Sequence, residues 1–375
     1  MPRASAALLL PFVVALAATP ACFPDFEVNG DGGPNGSNGD DGGTKHDATT
    51  SGDDDDSGTI ITLPDGAKVL EDGGPIPTGD DSGGGPAVDG GPGYVPPGTF
   101  TFTFGPESET TSTTASFTHG MYMDVTEVTV ADFTAWVTNG RHLPNDGQSL
   151  DPGGPYANEM YWQAAWNTFA DAEDYKPATD TCNSARDIYS LGDTVGALAP
   201  TYGSTPTTLP INCVNWYQAV AYCASVGERL ATQAEWQYEA VGRTHGYTYP
   251  WGDAPAPTDC SHAIGLGDGG LTGNNGCGFP LPVGSAPAGR SLDGVLDLEG
   301  SLEEWIWDAF SFSDLTPWPA DFAGPPEDAG TTEGRDVRGG SWLSPQPSLQ
   351  SIEPGNLTES DVYTNLGIRC VKTKL

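Results

Sequence analysis

The chain has 375 residues, with 51 acidic against 14 basic side chains and a formal net charge of −37. With no basic block to displace counterions from phosphates, nucleic-acid binding is excluded as a function class, and adsorption to anionic lipid is disfavoured. Gly and Pro make up a little over a fifth of the residues, which excludes an all-helical bundle, while 10 Trp, 13 Tyr and 13 Phe suffice for a packed core.

The first element is an export signal. Arg3 gives the positive end, Ala4 to Ala18 are apolar apart from Ser5 and Pro11, and small residues precede Cys22. Residues 1–21 are the expected signal peptide. An ordinary cleaved leader is one reading. The sharper one is a lipoprotein signal cleaved after Ala21 with a lipid on Cys22, although Thr19 stands where such signals prefer Leu. Seven cysteines minus Cys22 leave six, an even number that can pair in an oxidising compartment.

Residues 22–96 collapse to Gly, Asp, Pro, Ser and Thr, as in Asp53-Asp54-Asp55-Asp56. The composition predicts a disordered, extended tether. Calcium binding by the Asp-Gly runs would need a nonapeptide period, and none is visible.

The globular part is expected over 97–373. Thr99 to Phe104 alternates as a half-buried strand, and Met121 to Val125 reads as a second strand. Thr129 with Asp132 opens a helix that Gly140 ends. Residues 141–210 read as a loop-rich insertion packed by Tyr161, Trp162 and Trp166. Trp216, Ala219, Val220, Cys223 and Val226 share a helical stripe stopped by Gly227, and Thr232 with Glu235 caps a further helix carrying Trp236 and Ala240. Short apolar runs follow at 295–298, 305–307, 339–343 and 367–371. The class is a compact α+β domain with little regular structure, held by disulfides.

These residues resemble a known family. Cys213-Val214-Asn215-Trp216, then Ala221-Tyr222-Cys223, then Gly227-Glu228-Arg229-Leu230-Ala231-Thr232 and Ala234-Glu235-Trp236 look like the central block of the formylglycine-generating enzyme (sulfatase-modifying factor) family. Glu127-Val128-Thr129, Tyr249-Pro250-Trp251-Gly252, Gly294 to Trp305, Arg338-Gly339-Gly340-Ser341-Trp342 and Gly367-Ile368-Arg369-Cys370 follow in the family's order. The resemblance implies an α+β fold related to C-type lectins, and a disulfide between Cys223 and Cys370. Cys260 and Cys277 lie in one loop and are expected to pair locally, leaving Cys182 and Cys213 for each other.

The family's enzymes oxidise a substrate cysteine with a copper ion held by two thiolates, and copper(I) needs soft sulfur. The corresponding positions here are Ser344 and Leu349, so no copper is expected. Related iron-dependent sulfoxide synthases use a separate histidine-bearing helical domain that has no counterpart here; His46, His119, His142, His245 and His262 show no paired helical spacing. Glu303 and Glu304 are adjacent, so one is expected to point inward and one outward.

The resemblance also implies a structural calcium at Asp297, Gly300, Leu302 and Glu304, where two carboxylates and two backbone carbonyls would form the shell. The alternative is two solvated turn carboxylates. A second family calcium aligns poorly, through Asn275 and the Cys277 carbonyl. The functional expectation is an exported, lipid-anchored envelope protein, with the lipid as its sole link to the membrane. Its non-catalytic domain would bind or scaffold an envelope protein or glycan. An active formylglycine-type oxidoreductase and a lectin-like carbohydrate binder are the alternatives.

Overall fold

The computed structural model describes residues 60–62, 68–70, 93–104, 111–172, 182, 200–254, 260–266, 279–310, 318–324, 334–345 and 349–375. Contacts divide the chain into two units, Met1–Gly83 and Gly84–Leu375. In the first, β1 (Ile60–Thr62) and β2 (Lys68–Leu70) form an antiparallel hairpin inside the stretch expected to lack structure. Both strands come from the few apolar residues there, Ile60, Ile61, Val69 and Leu70.

The second unit begins earlier than expected. Tyr94–Val95 (β3) pairs with Met121–Met123 (β6), and the Gly93 N–H donates to the Asp293 carbonyl at 2.8 Å. Between them, β4 (Gly98–Phe104) and β5 (Thr111–Phe117) form a hairpin in direct register from Gly98–Phe117 to Phe104–Thr111. The two-residue period buries Phe100 and Phe102 and leaves Thr101 outside.

The expected caps position the helices. Thr129 accepts the Asp132 N–H at the start of α1 (Val130–Thr138), and Gly140 follows with φ 96°. Among the described residues of the insertion, a 3-10 turn at Ala164–Trp166 leads into a short turn of helix, α2 (Asn167–Ala170). Trp162 and Trp166 are buried as expected, but Tyr161 is 45% exposed and packs no core. Asn215 and Gln218 close a capping box on α3 (Trp216–Ser225), a signal the sequence reading passed over. Val226 is the cap residue and lies half-exposed, outside the stripe it was assigned to. Short β7 (Arg229–Leu230) leads into α4 (Gln233–Ala240), capped reciprocally by Thr232 and Glu235.

All eight residues of α4 are buried. A helix polar on several faces can sit in a core only if each polar group finds a partner. Gln237 does so by donating to the Thr103 carbonyl at 2.7 Å and accepting its N–H at 2.8 Å. Ser291 donates to Glu239, and Glu235 is met by an arginine described below.

Two four-stranded sheets complete the domain. One has the order β3-β6-β12-β7, with β12 (Cys370–Thr373) inserted between β6 and β7. The other places β8 (Glu303–Ala309) between β9 (Arg335–Arg338) and β11 (Leu366–Gly367), with β10 (Gly355–Leu357) on the edge. Every residue of β8 is buried. The expectation that Glu303 and Glu304 point to opposite environments therefore fails: a central strand covered on both faces offers no wet side. The apolar runs at 295–298 and 339–343 lie outside the strands, in irregular backbone.

The disulfides are Cys182–Cys213 and Cys223–Cys370, with Cα separations of 5.6 and 5.5 Å. Cys260 is disulfide-bonded as well. Cys277, Asn275, Cys22 and the export signal lie outside the described residues.

Candidate functional site

Three clusters gather the residues that sequence singles out. The first is the turn after β9. Gly339 and Gly340 take φ of 90° and 62°, and a Cβ on Gly340 would meet Leu349 Cδ2 at 2.8 Å and Ser344 Oγ at 3.1 Å. Glycine is thus required both for the backbone and for the close approach. The Ser341 N–H donates to Ser344 Oγ at 3.0 Å, and the Ser344 N–H returns to the Ser341 carbonyl at 2.8 Å. Ser341 Oγ accepts the Leu343 N–H and the Asn365 amide, both at 3.3 Å. Ser341, Ser344 and Leu349 are all buried.

This turn does not fit copper(I). The Ser344 hydroxyl is a hard oxygen engaged in closing the turn, and Leu349 is hydrocarbon packed against Gly340. Among the described residues every cysteine is in a disulfide.

The second cluster contains the expected calcium positions. Asp297, Gly300 and Ser301 have φ of 57°, 80° and 57°, and a Cβ on Gly300 would collide with the Ile264 carbonyl, so the tight turn depends on glycine. Asp297 Oδ2 accepts the Gly284 N–H at 2.6 Å. Glu304 is placed differently from expectation. Its Oε1 faces Arg369, at 2.8 Å from Nε and 2.7 Å from Nη2, and its Oε2 accepts the Trp236 indole N–H at 2.7 Å. A guanidinium already stands where a cation would neutralise it.

A third carboxylate that the sequence reading missed joins this group. Glu127 accepts the Leu302 N–H at 2.8 Å and the Ser301 hydroxyl at 3.0 Å. Its place in the early block was noted, but a sequence separation of 175 residues hid the contact. Burial, then the charges of Asp297 and Glu304, push the Glu127 carboxyl well up. Burial raises Asp297 and Glu304 also, against the pull of Arg369. Three carboxyl groups thus share one guanidinium. Asp297 and Glu127 offer hard oxygens of the kind calcium takes, whereas Glu304 is committed to Arg369.

The third cluster was not foreseen. Arg229, fully buried, holds Glu235 through two hydrogen bonds of 2.7 Å, donates to Thr373 Oγ1 at 2.9 Å, and lies 4.6 Å over the Tyr156 ring. On the far side of Glu235, His119 Nε2 stands 3.2 Å from Oε1, while its Nδ1 lies 2.8 Å from Asp321. Carboxylates stand at both ring nitrogens, an arrangement that favours a proton on each. Burial alone would lower His119, but the bond to Glu235 and the nearby charge outweigh it and raise it. Among the described residues no histidine enters a group with metal-ligand geometry.

With this geometry in place, the chain matches the family model described as "Sulfatase-modifying factor enzyme 1-like domain" over residues 93–374, about three quarters of its length. Among curated proteins it is 37% identical over 150 residues to a hercynine oxygenase of Mycolicibacterium thermoresistibile, covering 36% of this chain and 30% of that protein. It is 29% identical over 167 residues to the inactive C-alpha-formylglycine-generating enzyme 2 of Bos taurus, covering 43% and 49%. It is 34% identical over 170 residues to the formylglycine-generating enzyme of Streptomyces coelicolor, covering 43% and 52%. The chain thus spans about half or less of the length of these relatives. PvdO from Pseudomonas aeruginosa aligns over 85% of this chain and 98% of its own, at 19% identity and a TM-score of 0.48.

Proposed function

The chain belongs to the sulfatase-modifying factor enzyme 1-like family, and from that premise we propose that its domain binds or scaffolds an envelope protein or glycan and does not generate formylglycine. The observation that carries this reading is the turn after β9, where the Ser344 hydroxyl closes the backbone and Leu349 fills the core. A thiolate pair is the part of the family's chemistry that no neighbouring oxygen replaces. Relatives whose own name is inactive C-alpha-formylglycine-generating enzyme 2 support the idea that the fold persists without the reaction.

The export signal and the tether extend the reading: the domain is displayed from a bacterial envelope by a lipid on Cys22. A calcium ion held by Asp297, Glu127 and the carbonyls of Gly300 and Leu302, with Glu304 oriented by Arg369, is part of the same proposal and has a purely structural role. Its support is the surplus of carboxyl groups over arginine in that cluster.

The test is direct. Purified protein is incubated with copper, a thiol reductant, oxygen and a sulfatase-motif peptide carrying the target cysteine, and the peptide is analysed by mass spectrometry. Unmodified peptide is expected, under conditions in which a competent formylglycine-generating enzyme converts it. Aldehyde formation dependent on this protein would overturn the proposal. For anchoring, Cys22→Ser is expected to move the protein from the membrane to the soluble fraction.

A further inference from the structure

A fourth group of chemistry-bearing residues lies apart from these clusters, around the Cys223–Cys370 disulfide. Asp124 follows β6 and Glu228 follows the turn after α3. One carboxylate oxygen of each, together with Cys370 Sγ, all fall within 4.8 Å of one another. The backbone builds this arrangement. The Asp124 N–H donates to the Cys370 carbonyl at 3.0 Å, and the Cys370 N–H returns to Asp124 Oδ2 at 3.4 Å. The Glu228 N–H donates to the Cys223 carbonyl at 2.9 Å. Each acid is therefore pinned to one half of the disulfide.

The two carboxyl groups face each other, with an oxygen of each within 4.8 Å of the other. Two carboxylates held this close repel, which favours keeping a proton on one of them. Burial is the main cause that raises both: Asp124 to about 6 against the opposing charge of Arg369, and Glu228 to about 7 with the charge of Asp124 adding to it. The other charged or titratable groups facing the pair are Asp132, Lys372 and Tyr222. The half-cystines are buried, and a pocket of about 260 Å³ is lined by Glu228 itself and by Val371, which follows Cys370.

We propose that Asp124 and Glu228 form a built-in proton donor that makes the Cys223–Cys370 disulfide a pH-gated redox site. In the step concerned, an external dithiol supplies a thiolate that attacks Cys223 Sγ. The Sγ–Sγ bond breaks and its electron pair goes to Cys370 Sγ. That sulfur takes a proton from the acid pair, which is left doubly ionised and regains a proton from water. The second thiol of the reagent then displaces Cys223, giving two protein thiols and an oxidised dithiol. The leaving thiol governs such exchanges, so a proton at hand speeds the step and two fixed negative charges oppose it.

The experiment uses the whole protein and its own second disulfide as the internal clock. Dithiothreitol is added at pH 6.0, 7.0 and 8.5, aliquots are quenched with acid and alkylated, and peptide mapping reads the two rates. Dithiothreitol ionisation affects both disulfides alike and cancels in the ratio of Cys223–Cys370 to Cys182–Cys213. The ratio is expected to fall at least tenfold from pH 6.0 to pH 8.5 in the wild type. In the isosteric Asp124→Asn/Glu228→Gln variant, which removes both titrating groups, it is expected to change less than twofold. Glu228→Gln alone, at the more exposed of the two positions, is the second variant and is expected to lose most of the dependence. A flat ratio in the wild type, or the same fall in Glu228→Gln, would overturn the proposal.

Discussion

Replacing Arg229 by Met is the sharpest test of how this interior is held. Met keeps much of the aliphatic stem and removes the guanidinium. The structure shows what is lost: two bonds of 2.7 Å to Glu235, one of 2.9 Å to Thr373, one of 3.1 Å to the Leu230 carbonyl, and the stack on Tyr156. What remains is a buried carboxylate supported on one side only, by His119 at 3.2 Å and by its capping bond to the Thr232 N–H at 2.9 Å. Removing one partner of a buried ion pair costs about 3–5 kcal/mol, and for a domain of this size that lowers the Tm by roughly 8–15 °C. Burial would raise Glu235, but the charge of Arg229 and the bonds from His119 and Arg229 outweigh it and hold the carboxyl well below the usual range. A group depressed in the folded state stabilises above its unfolded value, here 4.5, and loses that contribution as pH falls further. The gap between wild type and Arg229→Met is therefore full at pH 7 and narrows below about pH 4. Differential scanning calorimetry or urea titration at pH 7 and pH 3 measures both numbers. Adding Glu235→Gln to Arg229→Met is expected to recover part of the loss, since the pair is coupled. A loss under about 1 kcal/mol at pH 7, or a gap that does not change with pH, refutes the argument.

Other consequences are as specific. Cys223→Ala/Cys370→Ala opens a loop of 147 residues and is expected to cost about 4–5 kcal/mol in the chain-entropy account, seen as a lower urea midpoint. His119 has a raised value, so its bonds to Asp321 and Glu235 stabilise fully below about pH 6.5 and fade as pH rises through the folded value. His119→Gln is accordingly expected to lower the Tm more at pH 6 than at pH 9, and an equal drop at both pH values contradicts this. Chelation by EGTA is expected to lower the wild-type Tm and to have less effect on Asp297→Asn, with calcium but not magnesium restoring it; a melting curve indifferent to chelator removes the calcium from the proposal.

How far sequence reaches into this fold depends on the distance over which a signal acts. The caps at Thr129 and Thr232 and the alternation of Phe100 and Phe102 are local rules, and each placed its element. Tyr161, Val226 and Glu303 were misplaced because burial at a single position depends on what the rest of the chain lays over it. The family motifs located the Gly340 turn and the Asp297 turn, yet gave no hint that Arg369 would claim Glu304 or that Glu127 would stand beside them. The Arg229–Glu235–His119 network was invisible for the same reason. Its members come from β7, α4 and the segment after β5, and nothing in the spacing of a lone histidine says that two carboxylates await it. Polar residues buried in a helix such as α4 were the available clue, since each must find a partner somewhere.

The position of β12 carries a consequence for when this domain can form. The strand enters its sheet between β6 and β7, which precede it by more than a hundred residues. Until Cys370–Thr373 has been synthesised, β6 and β7 have no neighbour to join them, and Cys223 lacks its partner. Folding must therefore wait for the C-terminal end of the domain to leave the ribosome, and a nascent chain paused anywhere earlier presents two unpaired strand edges to its surroundings. Contacts of such long sequence separation also close slowly. Trimming the last strand would therefore leave β7 without its partner and β6 paired with β3 alone.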